Sequence, residues 1–120
     1  RQYAFPDARW TKYGTATHRT NICNYPVQGF ATADLLPAAL VRLDKLFQEN
    51  KLRSVICNTV HDSIVLDCHP DEFDICIKLM REAMLSLPEE TERRYGVTYD
   101  MPVEIEIKSG DNWLDLHVVV

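Results

Sequence analysis

Apolar and polar positions alternate in distinct blocks along this chain, and each block predicts one element. Leu36, Leu40, Leu43 and Phe47 recur at helical spacing, with Ala39 and Leu46 beside them. Arg42, Asp44, Lys45, Gln48 and Glu49 fill the opposite face. This is the signature of an amphipathic helix, expected to start near Pro26 to Gln28 and to end at about Asn50. Pro37 removes one backbone donor and crowds the preceding turn, so a kink or break is expected near Ala33–Leu36. Next come two β-prone apolar runs, Ser54 to Val60 and Ser63 to Cys68. Only His61-Asp62 separates them, which predicts a tight hairpin. Pro70, with Asp71, Glu72 and Asp74 around it, reads as a helix start. Phe73, Cys76, Ile77, Met80 and Met84 form that helix's apolar stripe, and Pro88 ends it. Glu89 to Arg94 reads as a charged, solvated helical turn or loop. Val103 to Lys108 alternates strictly, as a half-buried strand does. Ser109-Gly110-Asp111-Asn112 is a turn, and Trp113 to Leu116 closes the chain.

The element order predicts an α+β fold: a small antiparallel sheet with two main helices packed on one face. Residues 1–21 lie outside this pattern and are expected to be irregular. There Tyr3, Phe5, Trp10 and Tyr13 alternate with Arg, Lys, Thr and Gly, and Pro6-Asp7 and Tyr13-Gly14 are turn signals. Interleaved aromatic and basic residues suit a nucleic-acid backbone and its bases. They equally suit a loop anchored by aromatic plugs.

Length supports one domain with one modest core, since the chain has 120 residues. Its 46% apolar and 26% charged residues are ordinary for a globular protein. No apolar run approaches the roughly 18 residues of a membrane span, and no secretory signal opens the chain. Without a starting Met, a piece of a longer protein or a processed one is expected. The four cysteines, at 23, 57, 68 and 76, contain no C-x-x-C pair. They are expected to be reduced and buried, as in a cytosolic compartment, although Cys57 and Cys68 could meet across the strands. The net charge of −5 does not suggest a polyanion partner. Its distribution is uneven, however. Residues 1–20 carry Arg1, Arg9, Lys12 and Arg19 against Asp7, a basic arm on an acidic body.

The chemistry centres on His61-Asp62. A carboxylate held at a hairpin tip and backed by a dry sheet suits a hard cation, and metal-assisted phosphoryl chemistry needs such fixed anionic oxygens. Asp and His also simply favour turns, and the residues alone do not separate the two readings. Two-metal chemistry needs a second carboxylate. Asp67, Asp34 and Asp111 are the candidates, but Asp67 is expected on the opposite strand face, and nothing in the sequence brings the other two near.

Four stretches in register resemble family A DNA polymerases, the bacterial DNA polymerase I group. Val60 to Asp67 resembles the V-H-D-E-I/L-V-L-E of motif C. Asn24 to Asp34 resembles N-x-P-x-Q-G-T-A-A-D, and Arg1 to Asp7 resembles the R-x-Y-x-P-D before it. Pro102 to Trp113 is similar to the closing V-P-L-x-V-E…G-x-x-W. The resemblance implies a segment of the polymerase palm, residues 1–120 forming a single partial domain. It implies template-directed addition of dNTPs to a primer 3′ end by the intact enzyme, with two Mg2+ ions. Asp62 matches the catalytic metal-binding aspartate and His61 the residue that contacts the primer end. Asn24 and Gln28 match residues on the minor-groove side of the duplex, where contacts sense shape more than sequence.

Departures accompany the resemblance. Ser63 stands where the family has Glu, and Phe30 replaces a small Thr. Pro37 is unusual within the helix. The family's Arg four positions before the Asn is Thr20 here, which leaves the neighbouring Arg19 as the candidate DNA contact. These departures imply a divergent lineage, viral or environmental. The segments carrying motif A and the triphosphate-binding fingers helix are absent, so the second metal carboxylate is expected from outside this chain, and this segment is expected to be inactive alone. Primer–template DNA, the missing polymerase segments and, through exposed sheet surface, further copies of the chain are the expected partners, with no membrane, in the cytoplasm of a bacterium or a phage-infected cell. A non-catalytic DNA-binding or assembly module derived from a polymerase is the alternative.

Overall fold

The computed structural model describes residues 2–98 and 102–120. Its longest feature is an almost unbroken helical rod made of α1 (Arg19–Phe30), a π-helical turn (Ala31–Leu35) and α2 (Leu36–Glu49). These stretches of 12, 5 and 14 residues run end to end for about 46 Å. The expected kink is present, and its form follows from Pro37. A proline at this position cannot donate to the carbonyl four residues back. The turn widens instead, and the Leu36 N–H donates to Ala31 O, five residues back. The rod begins at Arg19, earlier than the expected start near Pro26–Gln28. Pro26 lies inside α1, where it deletes a single backbone bond without ending the helix. Aromatic packing supports that turn: Tyr25 meets Tyr3 at 6.1 Å and Phe5 at 5.4 Å between ring centres, both edge-on.

The core forms where α2 meets α3 (Phe73–Leu85). Leu43, Leu46 and Phe47 from α2 interlock with Cys76, Leu79 and Ala83 from α3, and Leu43 is only 1% exposed. The apolar stripe of α3 is therefore centred on Cys76, Leu79 and Ala83, with Met80 at its flank, a small rotation from the stripe read in the sequence. A β-hairpin, β1 (Val55–Val60) and β2 (Ser63–Asp67), lies over this helix pair and lends it Ile56, Ile64 and Leu66. The pairing is antiparallel, from Val55 opposite Asp67 to Val60 opposite Ser63. A bulge between Ile56 and Asn58 leaves Cys57 without an opposite residue. Cys57 therefore faces the Val65 carbonyl, with Sγ 3.5 Å from that oxygen, and has no cross-strand contact with Cys68. The expectation of buried thiols holds only for Cys76. Cys68 is half-buried, while Cys23 and Cys57 are exposed because the faces they occupy carry no cover; all four are free. Burial pushes the Cys76 thiol up to about 11, which keeps it protonated and unreactive at neutral pH.

A carboxylate clamp ties the hairpin to the start of α3. A single 3₁₀ turn, Pro70–Glu72, precedes that helix. Glu72 accepts hydrogen bonds from the backbone N–H groups of Arg53 (3.0 Å) and Ser54 (2.9 Å) and from the buried Ser54 hydroxyl (2.6 Å). Ser54 Oγ in turn accepts from His69 N at 2.9 Å. The sequence suggested only a helix-dipole role for Glu72. Its side chain is instead 12% exposed and sits beside the Arg53 guanidinium.

The stretch after Pro88 is a full helix, α4 (Leu87–Tyr95), where a helical turn or loop was expected. Leu87 and Thr91, one turn apart, are buried beneath it, and the Thr91 hydroxyl is satisfied by Leu87 O at 2.7 Å. On the outer face Glu90 pairs with Arg93 and Arg94, and Gly96 ends the helix with the positive φ of 65° that glycine tolerates best. Beyond Pro102, side chains alternate as expected: Val103 and Ile105 are half-buried, Ile107 is buried, and Glu104 and Glu106 are exposed. The backbone ladder is much shorter than that pattern suggests. Among the described residues of this stretch only β3 (Lys108–Ser109) and β4 (His117–Val118) pair, extended by mutual bonds of Ile107 with Val119 and Val120. The chain is thus α+β, and among the described residues its antiparallel structure is divided into two two-stranded ladders. It is elongated, 63 × 36 × 23 Å, with a radius of gyration of 18.3 Å against about 14 Å for a compact chain of this length. The long rod causes this, since α1 buries no residue of its own.

Two outcomes follow. Leu43→Ala leaves a void in the α2–α3 contact and is expected to cost about 3 kcal/mol in thermal or urea unfolding. The second concerns pH. The hydrogen bonds from Ser54 and Arg53 lower the Glu72 carboxyl from 4.5 to about 2. Stability from this clamp is therefore complete above the ordinary carboxylate value and is lost as pH falls from 4.5 through about 2. Melting temperature followed against pH is expected to decline across that window in the parent chain. Glu72→Gln is expected to melt lower at neutral pH and to show a flatter decline.

Candidate active site

The hairpin tip is a tightly constrained turn on the exposed surface. Val60 and Ser63 close the ladder, so His61 and Asp62 alone make the turn. His61 adopts a left-handed φ of 55°, the sign that a primed two-residue hairpin turn requires at its first central position. Such a backbone is uncommon outside glycine and is held by its surroundings. Ser63 supplies part of that hold, because its hydroxyl donates to Val60 O at 2.7 Å across the turn. His61 and Asp62 are both exposed, while the strands behind them rest on the helix core.

Asp62 borders a cleft of about 360 Å³. It is lined by Asp62, Ser63 and Ile64 of the hairpin, by Met80 and Met84 of α3, and by Glu104 to Ile107. The sequence marked Glu104 and Glu106 only as the outer positions of a strand. Their place in the same cleft as the hairpin tip depends on how the segment after α4 returns to the body. No local pattern encodes that return.

The other proposed carboxylates do not gather here. Asp67 is at the far end of the ladder, opposite Val55. Asp34 belongs to the π-helical turn, and Asp111 lies in the connection between β3 and β4. Among the described residues no group of three or more His, Cys, Asp or Glu side chains could hold a metal ion. A hard cation such as magnesium takes several oxygen ligands, and the described residues bring no such set together around Asp62.

Asn24 and Gln28 are exposed on α1. Four residues apart, they lie one above the other on the same helix face. Arg19 begins the helix, and helical spacing turns it well away from that face. Asn24 and Gln28 thus share one face of α1, and His61 and Asp62 share the hairpin turn. The small residues before Asp34 have a visible use. A Cβ on Gly29 would collide with the Tyr3 hydroxyl, so glycine lets the arm lie against the rod. Arg1 lies outside the described residues. Among the described residues no helix is long and apolar enough to cross a membrane.

Comparison with known proteins gives a consistent set of relatives. The DNA polymerase of Bacillus phage SP01 is 39% identical over 92 residues, covering 77% of this chain and 10% of the phage protein. DNA polymerase I of Pseudomonas aeruginosa is 32% identical over 102 residues, 85% of this chain and 10% of that protein. DNA polymerase I of Chloroflexus aurantiacus is 26% identical over 113 residues, 94% of this chain and 11% of that protein. The chain thus spans about a tenth of the length of these relatives. No solved structure gives a significant match. The profile of DNA polymerase family A matches residues 1–115, nearly the entire sequence, and the chain belongs to that family.

Proposed function

We propose that this chain is the palm segment of a DNA-directed DNA polymerase, in which Asp62 is a catalytic metal ligand. The observation that carries the reading is the placement of Asp62: an exposed carboxylate on a two-residue turn, bordering a cleft and backed by a packed core, in a chain of family A. Asp62 would hold magnesium together with carboxylates from polymerase segments outside this chain. When bound, the metal would supply charge neutralisation for in-line attack of the primer 3′ hydroxyl on a dNTP. This chain's own part is rigidity. The left-handed His61, the Ser63–Val60 bond and the core beneath the hairpin hold the carboxylate in place before substrate arrives.

His61 would contact the primer end beside Asp62. Asn24 and Gln28 would lie along the minor-groove side of the duplex, presented by α1 on a face that buries nothing in this chain. Arg19, at the other side of the helix start, would meet the phosphate backbone instead. The work is DNA replication or repair synthesis in the cytoplasm of a bacterium or a phage-infected cell. Ser63, a neutral residue where the family has Glu, would leave the tip with one negative charge fewer while still closing the turn.

In a polymerase chain that carries this segment, Asp62→Ala is expected to lower primer extension by at least about a hundredfold while leaving primer–template affinity within about threefold. Unchanged extension would favour a DNA-binding module without catalytic role. The 120-residue chain alone, given magnesium, dNTPs and primer–template, is expected to extend nothing; extension that disappears with Asp62→Ala would contradict the half-site. Self-association is expected as well, because Val27, Val55, Trp113 and Leu114 are all more than half exposed. Sedimentation velocity across a wide concentration range is the measurement, and a clean monomer throughout would speak against it.

A further inference from the structure

The aromatic residues of the N-terminal arm divide into two pairs with opposite fates. Tyr3 and Phe5 pack edge-on against Tyr25 and anchor the arm to α1. Trp10 and Tyr13 are each 80% exposed. Yet the segment that carries them is ordered. Trp10 and Ala16 form a β-bridge, Thr17 N donates to Arg9 O at 2.8 Å, Thr11 N to Thr15 O at 2.8 Å, and Gly14 N to Thr11 O at 3.1 Å. The Thr11 and Thr15 hydroxyls bond each other at 2.9 Å. Gly14 has a φ of 73°, and a Cβ there would meet nothing; glycine is needed for the backbone angle of the turn, not for space. A small braced loop thus holds two large rings out in water, against the usual preference for burying them.

Charge accompanies the rings. The Lys12 ammonium lies 5.0 Å from the centre of the Tyr13 ring. The Arg9 guanidinium is fixed at the base of the loop by Pro6 O (2.7 Å) and Ala8 O (2.9 Å). None of the ion pairs among the described residues involves Arg9, Lys12 or Arg19. Residues 1–20 are basic in a chain whose net charge is −5, so an anion is drawn to this end of the molecule rather than to the body.

We propose that the Trp10–Ala16 loop is a stacking site for unpaired, single-stranded DNA. Trp10 and Tyr13 stack on bases, and Lys12 and Arg9 accompany the phosphates. The ligand is a single strand rather than a duplex, because paired bases hide their faces inside the helix and only unpaired ones are open to a side-chain ring. The loop's pre-formed hydrogen bonds reduce the ordering cost of binding. The proposal does not depend on the role assigned to Asp62.

The test is fluorescence anisotropy of a labelled oligo-thymidine, about 12 nucleotides long, titrated with the full chain at two salt concentrations, beside a blunt duplex of equal length. Trp10→Ala and Tyr13→Ala are each expected to weaken single-strand binding about tenfold, with little effect on the duplex. Trp10→Phe is expected to stay within about threefold of the parent. Lys12→Gln is expected to lower the salt slope by about 0.7. Circular dichroism reports whether each variant keeps its helices, and Tyr13→Leu, which keeps bulk but removes the ring, decides the matter should an alanine variant unfold. Undiminished single-strand affinity in the double alanine variant overturns the proposal. So do an equal loss on duplex, absence of binding by the parent chain, and a change confined to self-association in sedimentation, which would assign the rings to a contact between copies.

Discussion

The buried contact between α2 and α3 is the constraint on which the rest of the molecule depends. Leu43, Leu46 and Phe47 against Cys76, Leu79 and Ala83 form the main dry core. A two-stranded hairpin has little stability in water by itself. Here it becomes rigid because Ile56, Ile64 and Leu66 rest on that core and because Glu72 pins the entry to β1 at Arg53 and Ser54. The strained backbone at His61 persists only because both strands leading to it are fixed. Precision at Asp62 is thus derived from apolar packing on the far side of the hairpin and from one buried serine.

The same core leaves much of the surface without cover. α1 buries no residue, and most of β1 is exposed. The rod projects from the body and gives the molecule its length. Membership of family A gives this openness a physical sense: relatives about ten times longer have chain with which to cover such faces. The cleft beside Asp62 is lined by Glu104 and Glu106 as well as by two methionines, but the described residues bring no metal-binding cluster together.

The arm follows a related logic on a smaller scale. Of four aromatic residues with similar sequence surroundings, two are consumed in holding the arm to α1, and two present most of their surface to solvent. Periodicity cannot distinguish these roles, because the arm has none. The distinction comes from the turn at Gly14, which faces Trp10 and Tyr13 outward once the Trp10–Ala16 bridge forms.

Local patterns determined a great deal by themselves. The amphipathic faces of α2 and α3, the tight turn at His61-Asp62, the disturbance near Pro37 and the register of family motifs are all written within short windows, where helical or strand periodicity and proline's missing donor act directly. Tertiary structure decided what those windows omit. The start of α1 moved to Arg19 because aromatic packing at Tyr25 tolerates Pro26. The alternating stretch at Val103–Lys108 kept its pattern of burial but not a long ladder, because a ladder needs a partner strand and the C-terminal end supplies only a short one. Glu72 became a clamp, and Glu104 and Glu106 came to line a cleft, through contacts between residues far apart in sequence. Such contacts leave no periodic trace, since they depend on where the chain returns and not on what stands beside each residue.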